Sequence, residues 1–223
     1  MHANKTTKMD EHRSIEIISQ MIAQTTADID RHSGKYFLLW GYTTVIVTLC
    51  EYFAYSSGAD VSLYSWFWWL IPLIGGIGTL WLNKTTRNDE SPRPKSHIDR
   101  SISAVWSVLG FSYGMVFIAA LTYQTSILFL TAIIMSMGTV ISGKICQHGV
   151  LTICGKVSMV LSLLFPARHL LFNEYGAGLR DSGIEQFEYL LYGEMIIFAV
   201  IFIVMMVVPG HILYNRAKRY NNA

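Results

Sequence analysis

From Met195 to Val208 the chain reads Met-Ile-Ile-Phe-Ala-Val-Ile-Phe-Ile-Val-Met-Met-Val-Val, without one polar side chain. A helix that is apolar all round has no water-facing side, so it is buried in a large core or lies in lipid. Five further apolar stretches decide for lipid. A hydrocarbon core of about 30 Å needs roughly 17 to 25 helical residues. Segments of that size lie at about 35–55, 63–82, 101–123, 127–143, 149–165 and 186–213. Charged residues make up 14% of the chain, against about 25% in soluble domains. The sequence therefore predicts an all-α polytopic membrane protein with six transmembrane helices, its natural solvent the lipid bilayer.

The basic hydrophilic interruption between spans is Asn83–Arg100, which carries Lys84, Arg87, Arg93, Lys95 and Arg100. Lys/Arg bias in short loops sets orientation. With both termini on the cytosolic side, all of the 17 Lys and Arg except Arg168 and Arg180 fall on or toward that side. The expected plan is N-in and C-in. It comprises a tail and helix at 1–34, two spans in 35–82, a basic loop at 83–100, four spans in 101–214 and a basic tail at 215–223. The first 35 residues mix acids and bases and lack a signal-like apolar region, so the first span is expected to act as an uncleaved anchor.

Ahead of that span, Ile15, Ile18, Ile22 and Ile29 recur at helical offsets, with Met21 beside them. Asp10 and Glu11 at the start and Arg31 and His32 at the end suit the helix dipole, and Gly34 stands where a C-terminal cap is expected. The polar face is acidic: Asp10, Glu11, Glu16, Asp28 and Asp30 against Arg13 and Arg31. Helices that lie on membranes are usually basic. The expected occupant of this amphipathic cytosolic helix is therefore a cytosolic or membrane protein partner, another helix or the basic loop, with Asp28 and Asp30 carrying the charge.

Within the spans, Lys156 and Glu194 are the ionisable candidates, because a charge in hydrocarbon costs at least about 2.5 kcal/mol unless paired or hydrated. Pro72, Gly75 and Gly76 predict a helix kink. Gly110…Gly114, Gly138…Ser142 and Ser158…Ser162 have the small-xxx-small spacing that lets helices approach closely, within the chain or in a homo-oligomer. Glu51, with Tyr52, Phe53 and Tyr55, reads as part of an interfacial belt. Arg168, His169, Glu174, Arg180, Asp181, Glu185 and Glu188 read as a solvated outer loop.

Cys50, Cys146 and Cys154 offer neither a disulfide framework nor zinc spacing. No cofactor or metal motif is present, and a net charge of +2 gives no reason to expect nucleic acid. Walker A, GxGxxG and HExxH are absent from the sequence, and Gly110-Phe-Ser-Tyr-Gly114 matches GxSxG only inside a predicted span, without the strand-to-helix turn that a nucleophile needs, which points away from an enzyme.

Lys35-Tyr-Phe-Leu-Leu-Trp-Gly-Tyr42, Glu51-Tyr-Phe and Trp69-Leu-Ile-Pro-Leu-Ile-Gly75 resemble small bacterial six-span integral membrane proteins, mainly over the first third of the chain. The resemblance implies a bacterial cytoplasmic (inner) membrane and supplies no activity, substrate or site residues. Two functions stand as expectations. The first is a non-enzymatic regulatory or interaction subunit that uses the cytosolic helix and basic loop, favoured because no polar-lined bundle is legible. The second is a small-solute or ion/proton transporter that uses Lys156 and Glu194.

Overall fold

The computed structural model describes residues 33–57, 65–89, 97–123, 127–175 and 186–221. The expected N-terminal helix, with Ile15, Ile18, Ile22, Asp28, Ile29 and Asp30, lies outside them. Among the described residues every regular element is helical. In order these are α1 (Ser33–Ser56), a 3-10 turn (Ser65–Trp69), α2 (Leu70–Asp89), α3 (His97–Tyr123), α4 (Ile127–Ile145), α5 (Gly149–Leu161), α6 (Leu164–Tyr175), α7 (Gln186–Phe202), a π turn (Ile203–Val207) and α8 (Val208–Asn221). Four stretches are long and apolar enough to cross a membrane: Ser33–Ser56, Ile127–Ile145, Gly149–Arg168 and Gly193–Arg219.

In lipid, burying apolar area drives little helix association, so close contact and hydrogen bonding must hold the helices together. Small residues provide that contact. A Cβ on Gly34 would stand 3.0 Å from the backbone N of Tyr214 and 3.1 Å from the carbonyl O of Gly210. One at Gly41 would stand 3.0 Å from the Met206 side chain, and one at Gly210 2.9 Å from Leu38. Thus α1 runs antiparallel to the last helix with the two backbones nearly touching. Gly34 is therefore a packing residue inside α1 and not the cap of a preceding helix.

On its other flank α1 pairs antiparallel with α2. Tyr36 hydrogen-bonds to Asn83 Oδ1, and Trp40 Nε1 donates to Thr79 Oγ1 at 3.1 Å. The Trp40 ring lies over Gly75, where a Cβ would come within 2.8 Å of it.

Helices α4 and α5 pack extensively against each other. Their connection closes as a Schellman motif, with His148 N donating to Gly143 O at 2.8 Å and Gln147 N donating to Lys144 O at 3.3 Å. Gln147 takes the left-handed position at φ 56°, where glycine is usual. Gly143 and Gly155 then let the helices close. A Cβ at Gly143 would meet Thr152 N at 2.6 Å, and one at Gly155 would meet Val140 N at 2.9 Å. Gly138 receives the Leu109 side chain of α3.

The prolines set the irregularities, and not where the sequence placed a kink. Pro72 is the third residue of α2, in the first turn, where its missing N–H would have had no helical partner. Helix α2 then runs unbroken through Gly75 and Gly76. Pro166 cannot donate to Ser162 O and would crowd it. That carbonyl is taken instead by Phe165 N at 3.2 Å, and Leu163 N reaches Val160 O at 3.0 Å. The tightened turn separates α5 from α6, so residues 166–175, expected in a loop, are helical.

Pro209, fully buried, denies Met205 O its donor in the same way. The chain just ahead of it widens into the π turn, with Val208 N bonded to Ile203 O. Phe198, Ile201, Met205, Leu151 and Leu213 form the fully buried centre around this turn.

Two substitutions check this packing. Gly143→Ala is expected to destabilise the protein in detergent by about 1–3 kcal/mol, because backbone lies in the way. Gly110→Ala, at a site with nothing within 4 Å, serves as the neutral control. Gln147→Gly is expected to stabilise by about 1 kcal/mol through relief of the left-handed conformation, read as a raised melting temperature.

Candidate functional site

Along α1 the residues Thr44, Thr48, Glu51 and Tyr55 recur at helical spacing and lie on one face. All four are buried, and Thr48 and Glu51 are 0% exposed. The sequence placed Glu51 in an aqueous belt; the structure places it inside the bundle. The spacing of polar residues at 44, 48, 51 and 55 was the available signal, obscured by the neighbouring aromatics.

The register of α1 against α2 accounts for the surroundings of Glu51. Tyr36 meets Asn83 and Trp40 meets Thr79. The same antiparallel step continued toward the end of α1 brings Glu51 level with Trp68, carried on the 3-10 turn. The Trp68 indole is directed at the carboxyl, yet neither carboxyl oxygen meets a donor at hydrogen-bonding geometry. Trp68 stands edge-on to Phe198 at a centroid distance of 6.0 Å, and Phe198 lies 4.6 Å from Phe202. Trp68 therefore joins the neighbourhood of Glu51 to the aromatic packing of α7.

The bundle interior is richer in hydroxyls than the sequence suggested. Ser136, Thr139 and Ser142 of α4, Thr152 and Ser158 of α5, and Ser162 just after α5, are all buried. Most of these groups are already committed. Thr48 Oγ1 donates to Thr44 O at 2.8 Å, Thr139 Oγ1 to Met135 O at 3.0 Å, and Ser162 Oγ to Met159 O at 2.7 Å. Ser158 Oγ reaches across to Ile201 O at 3.4 Å, next to the π turn, and Ser136 Oγ to Met205 Sδ at 3.4 Å. Hydroxyls so engaged offer little solvation to a charge at Glu51. An unpartnered carboxylate in such a medium costs several kcal/mol, and the protonated, neutral carboxyl avoids that cost.

The ionisable candidates read from the sequence are not brought together. Lys156 is exposed on the same outer stripe of α5 as Ile153, Val157 and Val160. It points away from the interior, where a long lysine stem can carry its ammonium toward the interface. Glu194 is half-buried on α7. Its neighbour Gly193 lies against the guanidinium of Arg168, twelve residues beyond Lys156 and past the tightened turn that separates α5 from α6. The two candidates thus occupy different levels and different faces.

Pro72 lies exposed in the first turn of α2, Gly75 seats Trp40, and Gly76 is open. Among the described residues no group of three His, Cys, Asp or Glu side chains could hold a metal ion.

Replacing Glu51 with glutamine keeps the shape and removes the ionisable proton. Glu51→Gln is expected to hold stability within about 1 kcal/mol of the parent or raise it, measured by thermal unfolding in detergent, whereas a charge at this position that needed an ion-pair partner would make the change costly. Compared with protein-family models, characterised proteins and solved structures, the chain shows no match.

Proposed function

We propose that this is an integral membrane protein of six spans, with both termini cytosolic, that moves protons through its helical bundle with Glu51 as the intramembrane carrier. The observation that carries this reading is a completely buried carboxyl that, beside the Trp68 indole, meets no donor at hydrogen-bonding geometry among the described residues, in a helix apolar enough to cross a membrane. Ionisable side chains at such depth are retained for function far more readily than for stability. A metal cation would need several oxygen ligands to replace its water. Among the described residues no group of three His, Cys, Asp or Glu side chains is there to supply them, whereas a proton needs only the one carboxyl.

The six-span plan draws support from α2 and α3. Leu73, Ile77, Leu80 and Trp81 on α2 and Val108, Phe111, Met115 and Ile118 on α3 are all more than half exposed, an arrangement suited to lipid. The antiparallel register gathers Lys35, Lys84, Lys144, Arg216, Lys218 and Arg219 at one end of the bundle. The positive-inside rule makes that end cytosolic. The resemblance of the first third supports a bacterial inner membrane.

A second reading, the non-enzymatic interaction subunit, is favoured by one feature. Gly110 and Gly114 of α3 have nothing within 4 Å of where a side chain would begin, which leaves room for a helix of a partner or of a second copy.

Proton flux into reconstituted vesicles, driven by an imposed potential and read with a trapped pH dye, separates the two readings. Glu51→Gln is expected to lower flux by about tenfold or more, the scale seen when a positioned proton-transfer group is removed. Lys156→Met should leave it unchanged. The infrared band of a protonated carboxyl should disappear with Glu51→Gln. Equal flux in the parent and Glu51→Gln would reject the carrier role and leave the interaction reading.

A further inference from the structure

The outer face of α1 beside the last helix carries a polar pair that the proton reading does not use. The Tyr42 hydroxyl and His211 Nε2 stand 2.7 Å apart, with the two rings edge-on at a centroid distance of 5.9 Å. Both side chains are exposed, and Tyr42 lies on the side of α1 opposite the buried Thr44 and Glu51. A neutral tyrosine and a neutral histidine bring two hydrogens to such a pair and spend one between them. Whichever tautomer His211 adopts, one O–H or N–H is left for a third group.

The antiparallel packing sets a lysine on each side of this pair. Lys35 precedes Tyr42 by seven residues and Lys218 follows His211 by seven. Each therefore lies two turns away on the same helix face, about 10 Å along the axis. Because the two helices run in opposite directions, both lysines lie toward the same end, the basic end of the bundle. Neither helix offers them a carboxylate on this face. Helix α8 has no acid, and the one acid of α1, Glu51, is buried on the far side.

In the other direction the exposed surface turns apolar. Ile46 and Phe53 follow Tyr42 along α1, 57% and 64% exposed, and the exposed Ile203 precedes His211 in the π turn. Cations outermost, a hydrogen-bond donor next and apolar side chains beyond them match an anionic phospholipid from headgroup to acyl chain. Basic sites between transmembrane helices are a recurrent way of holding such headgroups.

We propose that the outer seam between α1 and α8 binds an anionic phospholipid from the leaflet at the basic end. Lys35, Lys218 and the hydrogen left on the Tyr42–His211 pair hold its phosphate, and an acyl chain lies along Ile46 and Phe53. The site faces away from Glu51 and stands whether or not that carboxyl carries protons.

The test is native mass spectrometry of the full-length protein, released from detergent with phosphatidylglycerol or with phosphatidylcholine of the same acyl chains. The parent should bind phosphatidylglycerol about tenfold or more tighter, the scale of two lysines facing an anionic headgroup. Lys35→Gln with Lys218→Gln should abolish that preference. Lys84→Gln with Lys144→Gln, the same change of net charge at the same end, should keep it. Tyr42→Phe keeps the ring and removes the hydroxyl. It should weaken phosphatidylglycerol binding about fivefold and leave phosphatidylcholine unchanged, and it carries the test if the Lys35 and Lys218 double variant fails to fold.

Equal loss in the two lysine pairs, no loss in Tyr42→Phe, or a parent without the preference would overturn the site. Glycerol phosphate binding as tightly as the whole lipid would make the ligand a free phosphate, and a dimer mass that grows as bound lipid is lost would give the seam to a second copy of the chain. Either result overturns the lipid assignment.

Discussion

Everything in this bundle depends on how closely α1 lies against the last helix. Lipid gives no reward for hiding one apolar side chain behind another, so the helices hold through contacts at van der Waals range. Gly34, Gly41 and Gly210 provide them, bringing backbone within about one methyl group of the facing helix. Once that register is fixed, the inner face of α1 is fixed with it. Thr44, Thr48, Glu51 and Tyr55 then have no choice but to face inward. The depth and isolation of Glu51 are consequences of glycines placed two to five turns away.

The same economy governs the places where the helical hydrogen-bond ladder fails. Three prolines fall within described helices, and each is accommodated differently because each meets a different neighbourhood. Pro72 sits where no bond was owed. At Pro166 the chain tightens, and the orphaned carbonyl of Ser162 finds a donor three residues on. Pro209 is buried among large side chains, where tightening has no room, and the chain ahead of it widens. Ser158 on the neighbouring helix donates to the Ile201 carbonyl near the start of that widened turn. Polar groups in lipid must be satisfied internally, and here a hydroxyl on one helix mends the backbone of another.

Much of the helical plan was legible in the sequence, because apolar runs long enough to cross a membrane leave few alternatives. The packing role of Gly138, Ser142 and Ser158 was legible too, since small residues at helical spacing have one main use in lipid. The site was not. By its sequence neighbours, Tyr52, Phe53 and Tyr55, Glu51 reads as part of an interfacial belt. What mattered was its neighbours on the helix face, Thr44 and Thr48, and the partner helix that would cover them. Lys156 stood out for its charge, but facing follows from which side of α5 meets α4, and that depends on Gly143 and Gly155. Pro72 has the glycines of a kink beside it, yet the helix departs from regularity ahead of Pro209, at the end of the longest apolar run.

The committed hydroxyls have a consequence for speed. A cavity lined with Ser and Thr looks polar by composition, yet a hydroxyl already bonded to its own helix cannot turn to meet a new charge. The interior is polar in content and apolar in response. The hydroxyls bonded within their own helices, Thr48 and Thr139 among them, are not free to reorient around a charge at Glu51. What such an interior can do for a charge is set by what its hydroxyls are already bonded to, and not by how many it holds.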